Sequence, residues 1–408
     1  MGVLSFGAVR DVVDFVTRQE DAFKVNLLRN QASNFASNLT TQFQPIFLSA
    51  LGASPLILGY MASLSGLIGT VISIPIGNSI DKVGIRKALL VGTFLMTLSA
   101  VVFSVASGWQ IAVVAFILST FGFTLSGTAC PMICGTMLKS HERASGMGLC
   151  DTISALPGLA APIIGAFIIT SFGGMNVEGL RPLYYLQAVG FVVSLIIIYL
   201  WLKVPPFIGE NSASRNFFAD LKHILFQGKI TKRWIALSML SSFPMQVGFY
   251  ITLFAANVKG ANQFVLGGMS IASSLIMVVL GIPIGRIADR FGRKKVITSA
   301  VLLVCLSYLI LIYAPNSEAL LLCGLLSGFG ITVFQIQMAI SADLVTKEYL
   351  GSWYGLLGFF RGLINIVSPI ICGYVWSAFS PAAFLFLLFG VQLMYLGMLT
   401  IAPTSITR

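Results

Sequence analysis

Charged residues are scarce in this sequence. Asp, Glu, Lys and Arg together make up 10% of the 408 residues, whereas a soluble domain carries roughly 25%. Hydrophobic residues account for 57%, and the mean hydropathy is +0.92. A water-soluble fold of this length has far more surface than so few charges can cover. The composition therefore excludes a soluble protein and indicates an integral membrane protein with many spans.

Several chemical motifs are also missing. The sequence contains no Walker loop, no nucleophile elbow and no cluster with metal-ligand spacing, which argues against ATP-driven transport, an enzyme and a bound metal. The net charge of +11 comes from short basic clusters between apolar runs, without a basic face or an aromatic platform for a nucleic acid. We therefore expect no enzymatic activity, no cofactor and no nucleic-acid partner.

The six cysteines all lie within apolar stretches, so the sequence has no disulfide framework. Cys130 and Cys134 lie one helical turn apart with Met137 on the same face, a combination that suits a soft metal ion such as Cu(I). A cysteine in a span is more often a small apolar packing residue, and this interpretation is favoured here.

A membrane-spanning helix needs about 20 mostly apolar residues, and the sequence contains twelve such segments. The predicted spans are 26–49, 56–79, 88–107, 111–137, 146–171, 182–203, 233–257, 264–287, 296–314, 318–342, 352–378 and 382–402. The central cytoplasmic loop, 204–232, divides the chain into an N-terminal bundle, 26–203, and a C-terminal bundle, 233–408. Residues 1–25 are predicted to form an amphipathic helix on the cytoplasmic membrane surface.

Lysines and arginines cluster at the N-terminus, in the even-numbered loops and at the C-terminus. The opposite side of the predicted membrane carries only Arg181 and Lys259. Because loops rich in Lys and Arg stay in the cytoplasm, both termini are predicted to be cytoplasmic. We expect a multi-pass protein of the cell membrane whose partners are the lipid bilayer and a small-molecule substrate.

The two halves of the sequence repeat each other at an offset of 208 residues. Residues 74–77, Ile-Pro-Ile-Gly, recur as residues 282–285, and Gly59 matches Gly267. Because each copy contains six spans, both copies have the same orientation in the membrane. The predicted fold class is an all-α integral membrane protein with twelve transmembrane helices, arranged as two six-helix bundles related by pseudo-two-fold symmetry.

The loops after spans 2 and 8 share a motif of glycine, aspartate and basic residues. The first copy contains Gly77, Asp81, Gly84, Arg86 and Lys87, and the second contains Gly285, Asp289, Arg290, Gly292 and Arg293. Gly84 and Gly292 permit a tight turn, and each aspartate can pair with the following bases or cap a helix of the opposite half. Two matched copies favour a gate on the cytoplasmic side over ordinary positive-inside topology.

This pattern, G-x-x-x-D-[RK]-x-G-x-[RK]-[RK], resembles the signature loop of the major facilitator superfamily. With twelve spans and a long central loop, the resemblance covers the whole chain. It implies alternating access, in which two six-helix bundles rock around a central site, and a protein that works as a monomer. The motif does not specify the substrate.

Polar side chains within the spans indicate where a solute would bind. The candidates in spans 1, 7 and 10 are Asn34, Asn38, Gln42, Gln246, Tyr250 and Gln335. A polar stripe that faces lipid is costly, so the stripe is predicted to line a cavity, with interhelical hydrogen bonding as the alternative. The resemblance implies that spans 1, 4, 7 and 10 surround the transport path.

Arg361 lies deep in span 11, one turn before Asn365, and is a functional candidate because a charge within the bilayer is costly. It is predicted either to serve an anionic substrate or coupling, or to pair with Asp81 or Asp343 in the gate. Asp151 and Asp343 lie near the cytoplasmic ends of spans 5 and 10 and are, with Arg361, the candidates for proton coupling. No Asp, Glu or His lies near the middle of any span, which weakens the case for such coupling.

These features predict a secondary transporter that moves a small organic solute by alternating access. Proton-coupled efflux of an amphipathic or drug-like compound is the first expectation, because the predicted lining is mostly neutral, polar and aromatic. The alternative is uptake or facilitated diffusion of a sugar, nucleoside or organic anion, which the amides and Arg361 favour. A channel or receptor on the same scaffold would instead give a continuous pore, or binding without turnover.

Overall fold

The computed structural model describes residues 15–137, 143–203, 229–345 and 350–401. All of the regular secondary structure within these ranges is helical. Most of the predicted N-terminal amphipathic helix and most of the central loop lie outside the described residues.

Long helices joined by short connections make up the described chain. The helices of the first half are α1 (Asp21–Thr41), α2 (Gln44–Ala50), α3 (Pro55–Val83), α4 (Ile85–Val105), α5 (Trp109–Met137), α6 (Arg143–Ser171) and α7 (Val177–Trp201). Those of the second half are α8 (Lys229–Gln246), α9 (Gly248–Asn257), α10 (Gln263–Leu275), a π-helical turn (Ile276–Leu280), α11 (Gly281–Phe291), α12 (Arg293–Tyr313), α13 (Ser317–Ser327), α14 (Phe329–Asp343), α15 (Leu350–Ala378) and α16 (Pro381–Ile401). Predicted spans 1, 7, 8 and 10 are each divided, whereas each of the others forms a single helix.

Eleven stretches of the described helices are long and apolar enough to cross a membrane. They correspond to predicted spans 2–12 and confirm an all-α, multi-span membrane fold. Span 1 forms α1 and α2, whose amide side chains lower its hydropathy. Helix α1 begins at Asp21, five residues before the predicted start of this span, and the completely buried Phe23 packs with Leu27.

The internal repeat of the sequence is also a repeat of backbone geometry. Helices α4 and α12 both contain 21 residues and follow Gly84 and Gly292, whose φ angles are +92° and +97°. Gly52 and Gly260 form a second matched pair with positive φ. Each pair keeps the offset of 208 residues. The predicted tight turns at Gly84 and Gly292 are therefore confirmed, since residues with a Cβ rarely adopt such angles.

The described chain forms two compact units. The first contains residues 15–41, 71–168 and 178–203, within the described ranges. The second contains residues 42–70 and 169–177 together with the described residues from 229 onward. Residues 42–70, which belong to the first half of the sequence, are thus part of the second unit.

The first unit is organised around the close packing of α4 on α5. A Cβ on Gly122 of α5 would lie only 2.6 Å from the carbonyl oxygen of Gly92 in α4. The Ser99 hydroxyl of α4 donates a hydrogen bond of 2.7 Å to the Ala115 carbonyl of α5. Small residues and one interhelical hydrogen bond therefore set the distance between these helices, as is usual in a membrane.

The second unit has a core in which two tryptophans converge on one serine. Trp234 of α8 and Trp353 of α15 are both completely buried. The indole N–H of Trp234 donates to the Ser341 hydroxyl over 2.7 Å, and that of Trp353 donates to the Ser341 carbonyl over 2.8 Å. Both buried indoles are therefore satisfied, and the contacts connect α8, α14 and α15.

The first half of α3 runs along α15 in a contact that we call the α3–α15 seam, formed by residues 55–70 and 362–373. The Ser63 hydroxyl donates to the Ile366 carbonyl over 2.6 Å. The Tyr250 hydroxyl of α9 lies within hydrogen-bond distance of both the Pro55 carbonyl (2.7 Å) and the Pro369 carbonyl (3.2 Å). Tyr250 is completely buried, so its hydroxyl connects three helices of the second unit.

Small residues allow this close approach. A Cβ on Gly59 would lie 2.5 Å from the Pro369 carbonyl oxygen, and one on Gly66 would lie 2.7 Å from the Asn365 carbonyl oxygen. Neither site can accept a larger side chain without moving the backbone of α15. The seam is therefore a backbone-to-backbone contact of the kind that drives helix association in lipid.

We expect Tyr250→Phe to lower the apparent Tm of the purified protein, because it removes a hydroxyl that bridges α3, α9 and α15. Hydrogen bonds between membrane helices are worth about 1 kcal/mol each, so the loss should be about 1–2 kcal/mol. Tyr374→Phe is the matched control, since Tyr374 lies in α15 and is 58% exposed. Equal Tm values for the two variants would contradict the bridging role of Tyr250.

Substituting the turn glycines should also destabilise the protein. We expect Gly84→Ala and Gly292→Ala each to cost about 1–3 kcal/mol, the usual cost of forcing a residue with a Cβ into such a conformation. Gly397→Ala in α16 is the control, because a Cβ there meets no atom within 4 Å. Thermal unfolding of the three variants tests this, and a turn-glycine variant as stable as Gly397→Ala would refute it.

Candidate functional site

Three predicted spans of the second unit are irregular. Span 7 is interrupted at Val247, between α8 and α9, and span 10 at Gly328, between α13 and α14. Span 8 continues from α10 into the π-helical turn Ile276–Leu280. Irregular backbone inside a membrane is tolerated where it is buried in protein or lines a cavity, and π-helical turns are frequent at functional sites.

A cavity of about 370 Å³ lies beside these irregular segments. Side chains from spans 7, 8, 9, 10 and 12 line it, together with Gln42. The Gln42 amide donates to the Thr252 hydroxyl over 3.1 Å, and both residues border the cavity. The volume is at the lower end of the range for small-molecule sites, roughly 300–1,000 Å³, so the cavity has room for one small solute.

One polar wall of the cavity is held by a chain of hydrogen bonds. The Ser241 hydroxyl donates to the Gln337 side-chain oxygen over 2.8 Å, and the Gln337 amide donates to the Tyr395 hydroxyl over 2.7 Å. On the neighbouring wall, the side chains of Tyr308 and Gln392 also border the cavity. Ser241, Gln337 and Tyr395 are already partnered, so they form a polar surface whose orientation is set before a ligand arrives.

The opposite wall carries serines of span 8. Ser270, Ser273 and Ser274 all line the cavity, and the Ser274 hydroxyl donates to the Ser270 carbonyl over 3.0 Å. Within the described part of the chain, the hydroxyls of Ser270 and Ser273 make no hydrogen bond. These two hydroxyls therefore have free capacity to donate to and accept from a ligand.

Apolar side chains complete the lining, and they include Met245, Met269, Val304 and Ile331. None of the described residues that line the cavity carries a formal charge. Methionine adapts its shape to irregular ligands because its chain is unbranched and its sulfur is polarizable. The cavity therefore combines an adaptable apolar surface with neutral hydrogen-bonding groups.

Asn34 and Asn38, two of the predicted amides of span 1, lie in the first unit. The Asn34 amide donates to the Ser154 carbonyl of α6 over 3.2 Å, and the Asn38 amide donates to the Asn34 carbonyl over 2.8 Å. A Cβ on Gly158 of α6 would lie 2.7 Å from the Asn38 amide nitrogen. The Asn34 contact is thus the interhelical hydrogen bonding that is the alternative to cavity lining, whereas the Asn38 amide bonds within its own helix.

The other candidates of spans 1, 7 and 10 have different surroundings. Among them, Gln42 borders the cavity, whereas the described lining does not include Gln246, Tyr250 or Gln335. The side chains of Gln246 and Gln335 are exposed, and Tyr250 is completely buried in the α3–α15 seam. Span 8 instead contributes Ser270, Ser273 and Ser274 to the lining.

Arg361 lies in the middle of α15 and is partly buried. Its guanidinium carbon is 5.1 Å from the centre of the Phe334 ring, and Nη1 is 3.3 Å from the Met338 sulfur. Within the described residues, Nε and Nη2 of Arg361 and Oδ1 of Asn365 are buried without a hydrogen-bond partner. The ring face partly compensates the charge, but the described surroundings offer this cation no carboxylate.

The predicted gate residues are only partly described. The surroundings of Gly77 and the side chains of Asp81, Asp151 and Asp343 are not described, so the predicted pairs of Arg361 with Asp81 or Asp343 lie outside the described residues too. In the first loop, Arg86 donates to the Tyr199 carbonyl over 2.7 Å, and Lys87 is exposed.

The second loop shows the local pairing that its motif allows. The carboxylate of Asp289 is 3.4 Å from Nε of Arg293, four residues later, and the Asp289 side chain is largely exposed. Arg290 is also exposed, and a Cβ on Gly285 would meet no atom within 4 Å. An exposed pair of this kind is worth less than about 1 kcal/mol.

The serines of span 8 are the site residues that the sequence interpretation missed. Their spacing of three and four residues places them on one helix face, so the signal was present in the sequence. Serine is common at packed helix contacts in membranes, which makes this spacing weak evidence without the cavity.

Cys130 is the described member of the candidate soft-metal pair. Its sulfur accepts a hydrogen bond of 3.0 Å from the Asn30 amide, which fits the favoured interpretation of a packing residue.

Comparison with known proteins identifies the family. The profile of the Major Facilitator Superfamily matches residues 32–280 and 260–405. An uncharacterised MFS-type transporter of Methanocaldococcus jannaschii is 23% identical over 363 residues, which cover 87% of this chain and 88% of the relative. The multidrug resistance protein MdtG of Klebsiella pneumoniae is 23% identical over 378 residues, covering 88% and 87% of the two chains.

A solved structure shows the same fold. The nucleoside transporter NupG superposes with a TM-score of 0.79 at 13% identity, and the match covers 94% of this chain and 100% of NupG. The profile match extends over well more than half of the sequence. The chain therefore belongs to the major facilitator superfamily and is a membrane transporter rather than an enzyme.

Proposed function

We propose that this protein exports an amphipathic, drug-like compound from the cytoplasm in exchange for protons. The observation that carries the proposal is the cavity of the second unit, which can bind an apolar body and a neutral polar group of one molecule. The relative from Klebsiella pneumoniae is named a multidrug resistance protein, which supports export of such compounds.

Alternating access requires that the bound solute face one side of the membrane at a time. The α3–α15 seam joins residues 55–70 to helices of the second unit, whereas residues 71–83 of the same helix belong to the first unit. In this proposal the seam closes the side predicted to be extracellular and separates when the solute is released. Gly84 lies at the other end of α3, and Gly292 has the equivalent position after span 8.

Proton exchange needs a group whose protonation differs between the two states. Asp151 in α6 and Asp343 at the end of α14 are proposed for this role, because acidic residues are otherwise rare in the predicted spans. Protonation of either carboxylate would remove a charge near the path and change which conformation is favoured.

The neutral lipophilic dye Nile red tests the export proposal in proteoliposomes. We expect an imposed pH gradient to drive uphill dye movement and a protonophore to abolish it. If Asp343 carries the proton, Asp343→Asn abolishes the driven movement but leaves dye counterflow intact, and Asp151→Asn is tested in the same way. Glu318→Gln is the control, because Glu318 is exposed in the first turn of α13. Equal dye movement with and without the gradient would contradict proton coupling.

A second candidate function is transport of an organic anion, and Arg361 is the observation that favours it. A guanidinium within the bilayer is costly without a counter-charge, and two of its nitrogens lack a partner within the described residues. A carboxylate could accept from both of these nitrogens in the bidentate geometry that arginine favours. The Phe334 ring beside it offers a surface for an aromatic part of the same molecule.

Benzoate is the probe for this second function. If Arg361 binds the substrate anion, benzoate raises the Tm of the purified protein, Arg361→Gln removes the effect, and Arg361→Lys retains part of it. Arg233→Gln removes the same charge at an exposed position and should leave the benzoate effect unchanged. Benzoate stabilisation that survives in Arg361→Gln would exclude the anion site.

A further inference from the structure

We infer that the cavity of the second unit binds an uncharged ligand carrying hydroxyl or amide groups, and that Ser270 and Ser273 hold its polar end. This inference rests on the proposed transport function and specifies the chemical class of the solute. The site lies wholly within the second unit, among spans 7, 8, 9, 10 and 12, with Gln42 at its border.

The serines of span 8 lie together on one side of the cavity. Residues 270, 273 and 274 have the spacing that places side chains on one face of a helix, and all three line the cavity. The Ser270 and Ser273 side chains are partly buried and unpartnered within the described residues, whereas Ser274 already donates to the Ser270 carbonyl. Neither hydroxyl is among the described side-chain atoms that are buried without a partner, so both are accessible from the cavity and can bond to a hydroxyl or amide group of a ligand.

Irregular backbone lies close to these serines. The π-helical turn begins at Ile276, directly after the serine face, and Gly328 of span 10 packs against the Ser273 carbonyl. Pro244 also lines the cavity, and because proline has no N–H, it leaves the Leu240 carbonyl without its usual helical donor. This irregular backbone lies next to the serine face, although Leu240 and the π-helical turn are not among the described residues that line the cavity.

The described lining of the cavity carries no formal charge. An ion moved into such a cavity loses its hydration and gains no opposite charge, a cost of several kcal/mol. The hydroxyls of Ser270 and Ser273 offset only part of this cost, because they carry no formal charge. An uncharged group loses far less, so the cavity selects neutral solutes over ionised ones of similar shape.

The apolar residues of the lining bind the remainder of the ligand. Met245 and Met269 lie on different helices, and both border the cavity. A small aromatic or aliphatic body can pack against their adaptable side chains. Neutral glycosides, amides and polyhydroxylated aromatic compounds have the required combination of a polar end and an apolar body.

Thiol labelling tests the cavity without knowledge of the natural substrate. Ser270→Cys and Ser273→Cys are treated with three methanethiosulfonates that transfer a neutral hydroxyethyl, a cationic trimethylammonioethyl or an anionic sulfonatoethyl thio group. The cysteine thiolate attacks the reagent sulfur, a mixed disulfide forms, and methanesulfinate leaves. Each rate is divided by the rate of the same reagent with free 2-mercaptoethanol. We expect the neutral reagent to react with both variants at least about tenfold faster than either charged reagent, a difference of about 1.4 kcal/mol.

Two controls accompany this labelling. Ala272→Cys lies on the same helix, but Ala272 is not among the described residues that line the cavity, so this variant should react slowly with all three reagents. The unsubstituted protein gives the background from its own cysteines. Equal rates for neutral and charged reagents, or no labelling at position 270 or 273, would overturn the inference.

A binding measurement provides a second test on the intact purified protein. We expect phenyl β-D-glucoside to raise the Tm of the wild type, but not that of the Ser270→Ala/Ser273→Ala double variant. Ser317→Ala is the control, because Ser317 is exposed at the start of α13 and lies outside the described lining, so the glucoside effect should persist there. Phenyl phosphate and phenethylammonium share the ring but carry a charge, and neither should raise the Tm. Absence of the glucoside effect in the wild type, or its persistence in the double variant, would contradict the inference.

Failure of this inference can be told apart from failure of the proposed function. If the wild type moves Nile red against its gradient and the double variant does so equally well, the export proposal stands and the serine site is excluded. If neither protein moves the dye but the labelling remains selective for the neutral reagent, the site stands and the export proposal is excluded.

Discussion

The hydrocarbon interior of a bilayer contains no water to satisfy polar groups, and the rest of this structure depends on that constraint. Many of the polar side chains described within the spans donate to a neighbouring backbone or side chain, as Ser99 does between α4 and α5 and Tyr250 does in the α3–α15 seam. The two buried indoles satisfy the same requirement at Ser341. A polar side chain that has no partner within the described residues is therefore a candidate for binding a ligand. The hydroxyls of Ser270 and Ser273 are of this kind, and they border the cavity.

The two halves of the chain share a topology but differ in local structure. The turn glycines and the two 21-residue helices that follow them are equivalent in both halves. Yet α5, the equivalent of span 10, is continuous, whereas span 10 is interrupted at Gly328. Equivalent sequence positions thus form a regular helix in one half and an irregular segment beside a cavity in the other. Local packing, rather than the shared topology, decides where a solute can be held.

The sequence predicts best those features of the fold in which a single physical effect dominates. Hydropathy predicted spans 2–12, because a helix must be apolar over its whole length to cross the bilayer. The glycine turns could be predicted because only a residue without a Cβ adopts such angles easily. The polar residues were harder, because amides and hydroxyls serve equally well as helix contacts and as cavity lining. Asn34 and Asn38 bind neighbouring backbone, whereas Ser270 and Ser273 line the cavity.

The sequence by itself determined that this protein resides in a membrane, that it is all-helical, and that its halves repeat, since these properties depend on composition and periodicity. Only the tertiary structure decided which polar side chains are partnered and which are free. That distinction depends on the neighbours that each helix face meets, and on where Val247, the π-helical turn and Gly328 interrupt the helices. The scarcity of charge, which first indicated a membrane protein, also describes the cavity, whose described lining is neutral throughout.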